Sequence, residues 1–198
     1  MASTAQAKWD KAAGGYDLLS RGAERRWEHV KRESLSKIRG RVLFLAVGTG
    51  LEVRFFPLGA DVTGIDISSG MLRRAGPRAA EYDGSFQLAQ TDVEHLAFPD
   101  ATFDCVVTSC TFCSVPNPVV GLRELRRVLK PTGELRMFEH TGSRWFPFNL
   151  MLNVMTPVTR QFGPDMNRDT VSNVRTAGFR VRSIRNVYLD VVKIIIAG

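Results

Sequence analysis

The chain has 198 residues, 44% of them hydrophobic, 24% charged and 9% aromatic, with a formal net charge of +7. This is globular composition; it excludes a disordered, collagen-like or low-complexity protein, and no run approaches the ~18 apolar residues of a membrane span. The charge is uneven: residues 1–41 hold 10 Lys/Arg against 5 Asp/Glu, residues 42–143 hold 9 against 12, and residues 144–198 hold 8 against 3.

Two basic ends around a slightly acidic middle fit an anionic surface, membrane or nucleic acid, and fit equally a solvated Arg-rich surface. No motif that reads RNA or DNA occurs, so nucleic acid is not an expected partner. Residues 1–7 contain no apolar signal region, and the odd, clustered Cys105, Cys110 and Cys113 make a poor disulfide framework. Both features predict a chain held in the reducing cytoplasm.

In chain order, a short helix holding Trp9 is broken at Gly14-Gly15. A longer one follows, with Leu19, Ala23, Trp27, Val30, Leu35 and Ile38 at helical spacing, ending near Gly40. Its basic positions include Arg25, Arg26, Lys31 and Arg32. Such a helix either lies on a membrane surface or covers the active site of the domain behind it. Residues 42–47 are then a continuous apolar run, the pattern of a strand buried on both faces. Further strands are predicted over 62–65, 85–88, 105–108 and 135–138, with helices over 51–56, 69–80 and 118–129. The runs 179–187 and 189–197 leave no room for a helix between them and predict an antiparallel hairpin. The expected fold is therefore α/β: a Rossmann-like, seven-stranded, mostly parallel sheet with an antiparallel C-terminal hairpin, a helical cover over 1–40 and the sheet domain over 41–198.

Chemistry gathers where the predicted strands end. Gly48-Thr49-Gly50 follows the first strand, and glycines there allow backbone to approach a ligand. Val53 occupies the place of a third glycine, which argues against a dinucleotide loop. Asp66 ends the second strand, where a carboxylate accepts ribose hydroxyls; Asp92, after the third, is placed to accept from an adenine amino group. Each alone reads as a capping or turn residue. Three in register on one sheet edge read as a nucleoside site.

Residues 42–50, 62–68, 90–99, Phe103-Asp104 and 122–135 together resemble the class I S-adenosylmethionine (SAM)-dependent methyltransferases, of the ubiquinone-biosynthesis and phospholipid N-methyltransferase type. Residues 111–115 and Glu139-His140 also resemble the alkyl-thiol methyltransferase branch. The resemblance implies SAM as cofactor, its methionine end along Gly48 and Gly50, its ribose on Asp66, and its adenine at Asp92 between Ile67, Met71 and Val93. The Tyr16-Asp17 pair matches one that folds over the cofactor in relatives. This chain departs from the family in carrying Phe44 and Ala46 where an acidic residue and a glycine are usual; Glu52, Ser109 and Tyr16 are candidate substitutes for the lost carboxylate.

For the acceptor, the aromatic- and Met-rich segment 144–160, bracketed by Arg144 and Arg160 and opened by Trp145, is too apolar for one helix face. It reads as a lid meeting lipid or a lipid-like substrate, or as a helix buried under the N-terminal cover. Glu139 and His140 end the fifth strand and, with Tyr16, are candidates to orient or deprotonate an acceptor; a hydrogen-bonded pair without a chemical role fits as well. The cysteines lack a convincing fourth ligand for zinc, so no metal is expected. The expectation is a methyltransferase peripheral on the inner face of the membrane. Its first acceptor is phosphatidylethanolamine on an anionic surface, with alkyl-thiol and quinone-like acceptors, or a non-catalytic SAM- or membrane-binding module, as alternatives.

Overall fold

The computed structural model describes residues 4–162 and 164–198. Residues 1–3, on which part of the export reading rests, lie outside the described residues.

Seven strands form one sheet: β1 (Arg41–Leu45), β2 (Asp61–Asp66), β3 (Ser85–Gln90), β4 (Phe103–Ser109), β5 (Leu129–His140), β6 (Val181–Tyr188) and β7 (Val192–Ala197). Their order is β3-β2-β1-β4-β5-β7-β6. The first five run parallel, and β7 is antiparallel to both of its neighbours. Helices α1 (Thr4–Ala12) and α2 (Tyr16–Leu35) precede the sheet; α3 (Ser69–Ala80), α4 (Pro118–Val128), α5 (Phe148–Phe162) and α6 (Thr170–Thr176) connect its strands. Both faces of β1 are buried, which explains its unbroken apolar run. Val42 and Phe44 join Leu35, Phe55, Phe56 and Ala75 on one face; Leu43 and Leu45 join Val106, Leu122, Leu125 and Val174 on the other.

Two expected elements change. The helix predicted over 51–56 is a single 3₁₀ turn, Val53–Phe55, because Phe56 precedes Pro57 and is held extended at φ −69°, ψ 148°. The long N-terminal helix stops at Leu35, while Ile38 still enters the core at 2% exposure. No helix among the described residues is long and apolar enough to cross a membrane.

The strand order reverses between β1 and β4, so the loops leaving them diverge and open a crevice at the carboxyl edge. Both loops turn through the left-handed region immediately after their strands. Ala46 has φ 54° and Cys110 has φ 49°, a conformation that non-glycine residues seldom adopt. The backbone at the crevice is thus held in two uncommon conformations by the surrounding packing.

Candidate active site

At the crevice the end of β2 is tied to the loop after β1. Asp66 is 6% exposed; its carboxylate accepts 2.9 Å hydrogen bonds from the Gly48 and Ser68 N–H groups. Burial raises its pKa, and the two amides work against that rise. Around it lies a cavity of about 100 Å³ lined by Trp9, Tyr16, Gly48, Asp66, Ile67, Met71, Asp92, Val93, Ser109 and Cys110, among others. Asp92 turns the chain after β3 by accepting from the Glu94 N–H at 3.0 Å. Gly48, Asp66, Ile67, Met71, Asp92, Val93, Ser109 and Tyr16 are therefore brought together. Gly50 is not among them: at φ 82° it packs on α3, where an added Cβ would sit 3.1 Å from Ala75 Cα. Its glycine serves backbone conformation and close packing.

The N-terminal helices close over this edge through three acidic contacts. Asp10 on α1 accepts from Ser68 Oγ at 2.6 Å and from the Gly70 N–H at 2.9 Å, adding a second acceptor at the start of α3. Asp17 on α2 accepts from Thr49 Oγ1 at 2.5 Å and from Arg78 at 2.8 Å. Glu52, 8% exposed in the loop after β1, takes Lys31 Nζ at 2.5 Å and Ser109 Oγ at 2.7 Å on the same oxygen. A second cavity, about 190 Å³, lies between α2 and this loop and shares Tyr16, Ala46, Gly48, Ser109 and Cys110 with the first. Tyr16 stands in both, its phenol pKa raised by burial, and its ring meets Trp9 edge-on at 6.4 Å.

Glu139 and His140 are elsewhere, which corrects the expectation that they meet the acceptor. Neither lines these two cavities. Glu139 is fully buried and accepts from Thr108 Oγ1 and from the Thr111 and Phe112 N–H groups, so it secures the loop leaving β4. Burial pushes its pKa up to about 7, against those hydrogen bonds. His140 is held below its ordinary pKa by burial and by Lys193; its Nδ1 is buried with no hydrogen-bond partner among the described residues.

The basic residues also divide differently from expectation. Lys31, grouped with Arg25, Arg26 and Arg32 as surface charge, is 5% exposed and paired with Glu24 and Glu52. A buried ammonium needs such partners, and the α2 face that carries it is the inward one. Arg25 is exposed; Arg26 stacks over Trp27 and Tyr188, and Arg32 pairs with Glu28 and covers Phe55. Arg160 pairs with Asp165 at 2.8 Å. Arg144 and Trp145 line a separate groove with Arg175 and Lys193.

Helix α5 is apolar outward. Leu152 and Thr156 are buried, while Leu150, Met151, Val154, Met155 and Val158 are 43–69% exposed, with Trp145 and Phe146 at 69% and 79% beside them. The polar residues of α5 lie on different sides: Thr156 faces inward, and Asn153 on the exposed side bonds Asn167 at 2.6 Å.

Sequence reasoning missed Asp10, Glu24, Thr49 and Arg78 as site-building residues. The signal available was an acidic residue on the predicted inward face of a basic helix, as with Glu24 one turn before Trp27 and two turns before Lys31.

A seven-stranded sheet of this order, with a buried acid at the end of β2 in a cavity against the first glycine loop, defines a nucleoside-binding fold of the class I methyltransferase kind. The family model described as a methyltransferase domain matches residues 43–137. A ubiquinone/menaquinone biosynthesis C-methyltransferase of Syntrophotalea carbinolica is 36% identical over 139 residues, which are 66% of this chain and 59% of that protein. A demethylmenaquinone methyltransferase of Renibacterium salmoninarum is 31% identical over 185 residues, 90% of this chain and 75% of that one. A SAM-dependent methyltransferase of Thermotoga maritima has the same fold, with a TM-score of 0.70 at 17% identity over 98% of both chains. The chain belongs to the class I SAM-dependent methyltransferases of the ubiquinone/menaquinone-biosynthesis type, and SAM is its cofactor.

Proposed function

We propose that the protein transfers the methyl group of SAM to an apolar, membrane-resident acceptor, with a quinone-like ring as the first acceptor class. The observation that carries the acceptor reading is the outward apolar face of α5 with Trp145 and Phe146 beside it: an exposed apolar surface of this extent on a protein of ordinary composition marks a site of contact with lipid or a partner. The names of the relatives, which act on quinone precursors, support the ring as substrate. In this reading Asp66 takes the ribose, Asp92 the adenine amino group, and Ile67, Met71 and Val93 the adenine faces. SAM supplies an electrophilic methyl on a sulfonium, so the protein's task is mainly alignment of the incoming nucleophile. Tyr16, standing in both cavities, is the residue placed to orient it, and Glu139 acts at one remove by holding the loop that carries Cys110 and Thr111.

A second reading, N-methylation of phosphatidylethanolamine, is favoured by the groove beside Trp145, where Arg144, Arg175 and Lys193 outnumber Asp169 and Asp190 and suit a lipid phosphodiester. Labelled SAM offered with a demethylated quinol, phosphatidylethanolamine and a small alkyl thiol decides between them by product mass. Methylated quinol supports the first reading and methylated phospholipid the second. Methylation of the soluble thiol alone overturns both.

A further inference from the structure

The second cavity has a polar wall that the nucleoside site does not use. Lys31 Nζ lies 2.7 Å from Glu24 Oε1 and 2.5 Å from Glu52 Oε1, so two carboxylates and one ammonium share the wall. The cluster is nearly closed, yet two of its atoms are left over. Ser20 Oγ and Glu24 Oε2 are buried with no hydrogen-bond partner among the described residues, and both residues line this cavity. A buried carboxylate oxygen without a donor is unfavourable, so its place in a cavity wall points to a ligand that supplies the donor.

The chemistry of that ligand follows from the wall. A cationic donor suits Glu24 Oε2, and an anionic acceptor suits the remaining donor of Lys31, which has three hydrogens. One molecule offering both is a zwitterionic amino acid. The wall's formal charge of −1 also opposes the net positive charge of a sulfonium-bearing amino acid. Gly48 and Ser109 border both cavities, so a molecule resting its nucleoside against Asp66 continues over Gly48 into this one. Phe44, 1% exposed with its ring tilted against that of Phe56 at 5.1 Å, supplies no charge from β1.

We propose that Glu24, Lys31 and Glu52 form the subsite for the amino-acid end of the cofactor, so that helix α2 rather than β1 supplies the charges that hold it. Lys31 faces the α-carboxylate, Glu24 with Glu52 faces the α-ammonium, and Ser109 fixes Glu52 in place. The cover is then part of the cofactor site and not only a roof above it. This inference rests on SAM occupying the crevice.

Calorimetric titration with two ligands tests it: S-adenosylhomocysteine, which carries the amino-acid end, and 5′-methylthioadenosine, which lacks it. Glu24→Gln and Lys31→Gln are each expected to weaken S-adenosylhomocysteine by about tenfold and to leave methylthioadenosine within about twofold. Glu24→Gln leaves Lys31 paired with Glu52 and keeps the test available should the buried lysine variant fail to fold. Equal weakening of both ligands, or an unchanged ratio between them, overturns the assignment. Loss of both ligands in Asp66→Ala, with the ratio shifted only in the α2 variants, separates the nucleoside half from the amino-acid half. A wild-type protein that binds neither ligand overturns the cofactor placement itself.

Discussion

Asp17 on α2 reaches across to the loop after β1 and accepts a 2.5 Å hydrogen bond from Thr49 Oγ1, while its second oxygen takes Arg78 of α3 at 2.8 Å. One carboxylate thus joins the cover, the glycine loop and the helix after β2. Burial raises its pKa, but the hydrogen bonds from Thr49 and Arg78 and the charge of Arg78 outweigh that, and the carboxyl sits below its ordinary 3.8.

Asp17→Ala is expected to destabilise the protein by about 1 kcal/mol, the low end for charged hydrogen bonds because both partners are about a third exposed. The loss is read as a fall in melting temperature of about 2–4 °C and as faster proteolysis within residues 4–35. The pKa is depressed in the folded state, so this stabilisation is present above the unfolded value and disappears as pH falls through the folded one. The wild-type advantage over Asp17→Ala should therefore vanish in strong acid. Equal proteolysis rates at neutral pH would show that the contact does not hold the cover down.

The left-handed Ala46 offers a second test. Its φ of 54° is strained for any residue with a Cβ, and the methyl group there packs at the edge of the core and forms part of the cavity wall. Ala46→Gly is expected to stabilise the fold by about 1 kcal/mol, net of the flexibility glycine adds to the unfolded chain. Thermal or urea unfolding measures it. A destabilised variant would mean that the methyl's packing outweighs the backbone strain.

The sheet was legible in the sequence because burial on both faces writes an apolar run, unbroken in β1 and shorter or interrupted in β2 and β4. The acids Asp66 and Asp92 were legible because strand ends are easy to locate and the carboxyl edge is where such folds bind ligands. What failed was direction around a helix axis. Lys31 and Arg32 are adjacent in sequence, one buried and one exposed, and a tally of basic residues gives them the same weight. Glu139 failed for a related reason: a strand-end acid points either toward the crevice or under the loop, and only its three donors reveal which. On α5 the apolar count was read correctly as too high for one face, but which face turns outward depends on packing at Leu152 and Thr156.

Glu139 itself carries a pH dependence. Burial pushes its carboxyl from 4.5 up to about 7. Between those values the folded protein keeps a proton that the unfolded chain has released, so this residue's contribution to stability falls as pH rises through the window. Glu139→Gln does not titrate and sets its amide hydrogens against the Thr111 and Phe112 N–H groups, an expected loss of about 1–3 kcal/mol. The gap in stability between wild type and variant should be widest near pH 5 and narrower near pH 8. A gap that widens with pH would show instead that the three donors keep the carboxylate ionised.

The proposed membrane face on α5 makes the last prediction. Leu150, Met151, Val154, Met155 and Val158 are exposed together, and side chains already in water lose little fold stability when made polar. Each one transferred from water into a lipid interface contributes up to about 1.5–3 kcal/mol, and basic residues near an anionic leaflet add ~1 kcal/mol apiece. Lys31 is excluded from that sum by its burial; Arg25, exposed, and Arg144, beside Trp145, remain in it. The combined Met151→Ser, Val154→Ser and Val158→Ser variant is expected to keep its melting temperature within about 2 °C and to lose most of its sedimentation with anionic vesicles. Wild-type binding should rise with anionic lipid and fall with salt, because the cationic share is screened while the apolar share is not. A protein that ignores vesicles, or a polar α5 variant that binds them as well as wild type does, removes the membrane from the acceptor reading and leaves a partner protein or a soluble apolar substrate as the occupant of that face.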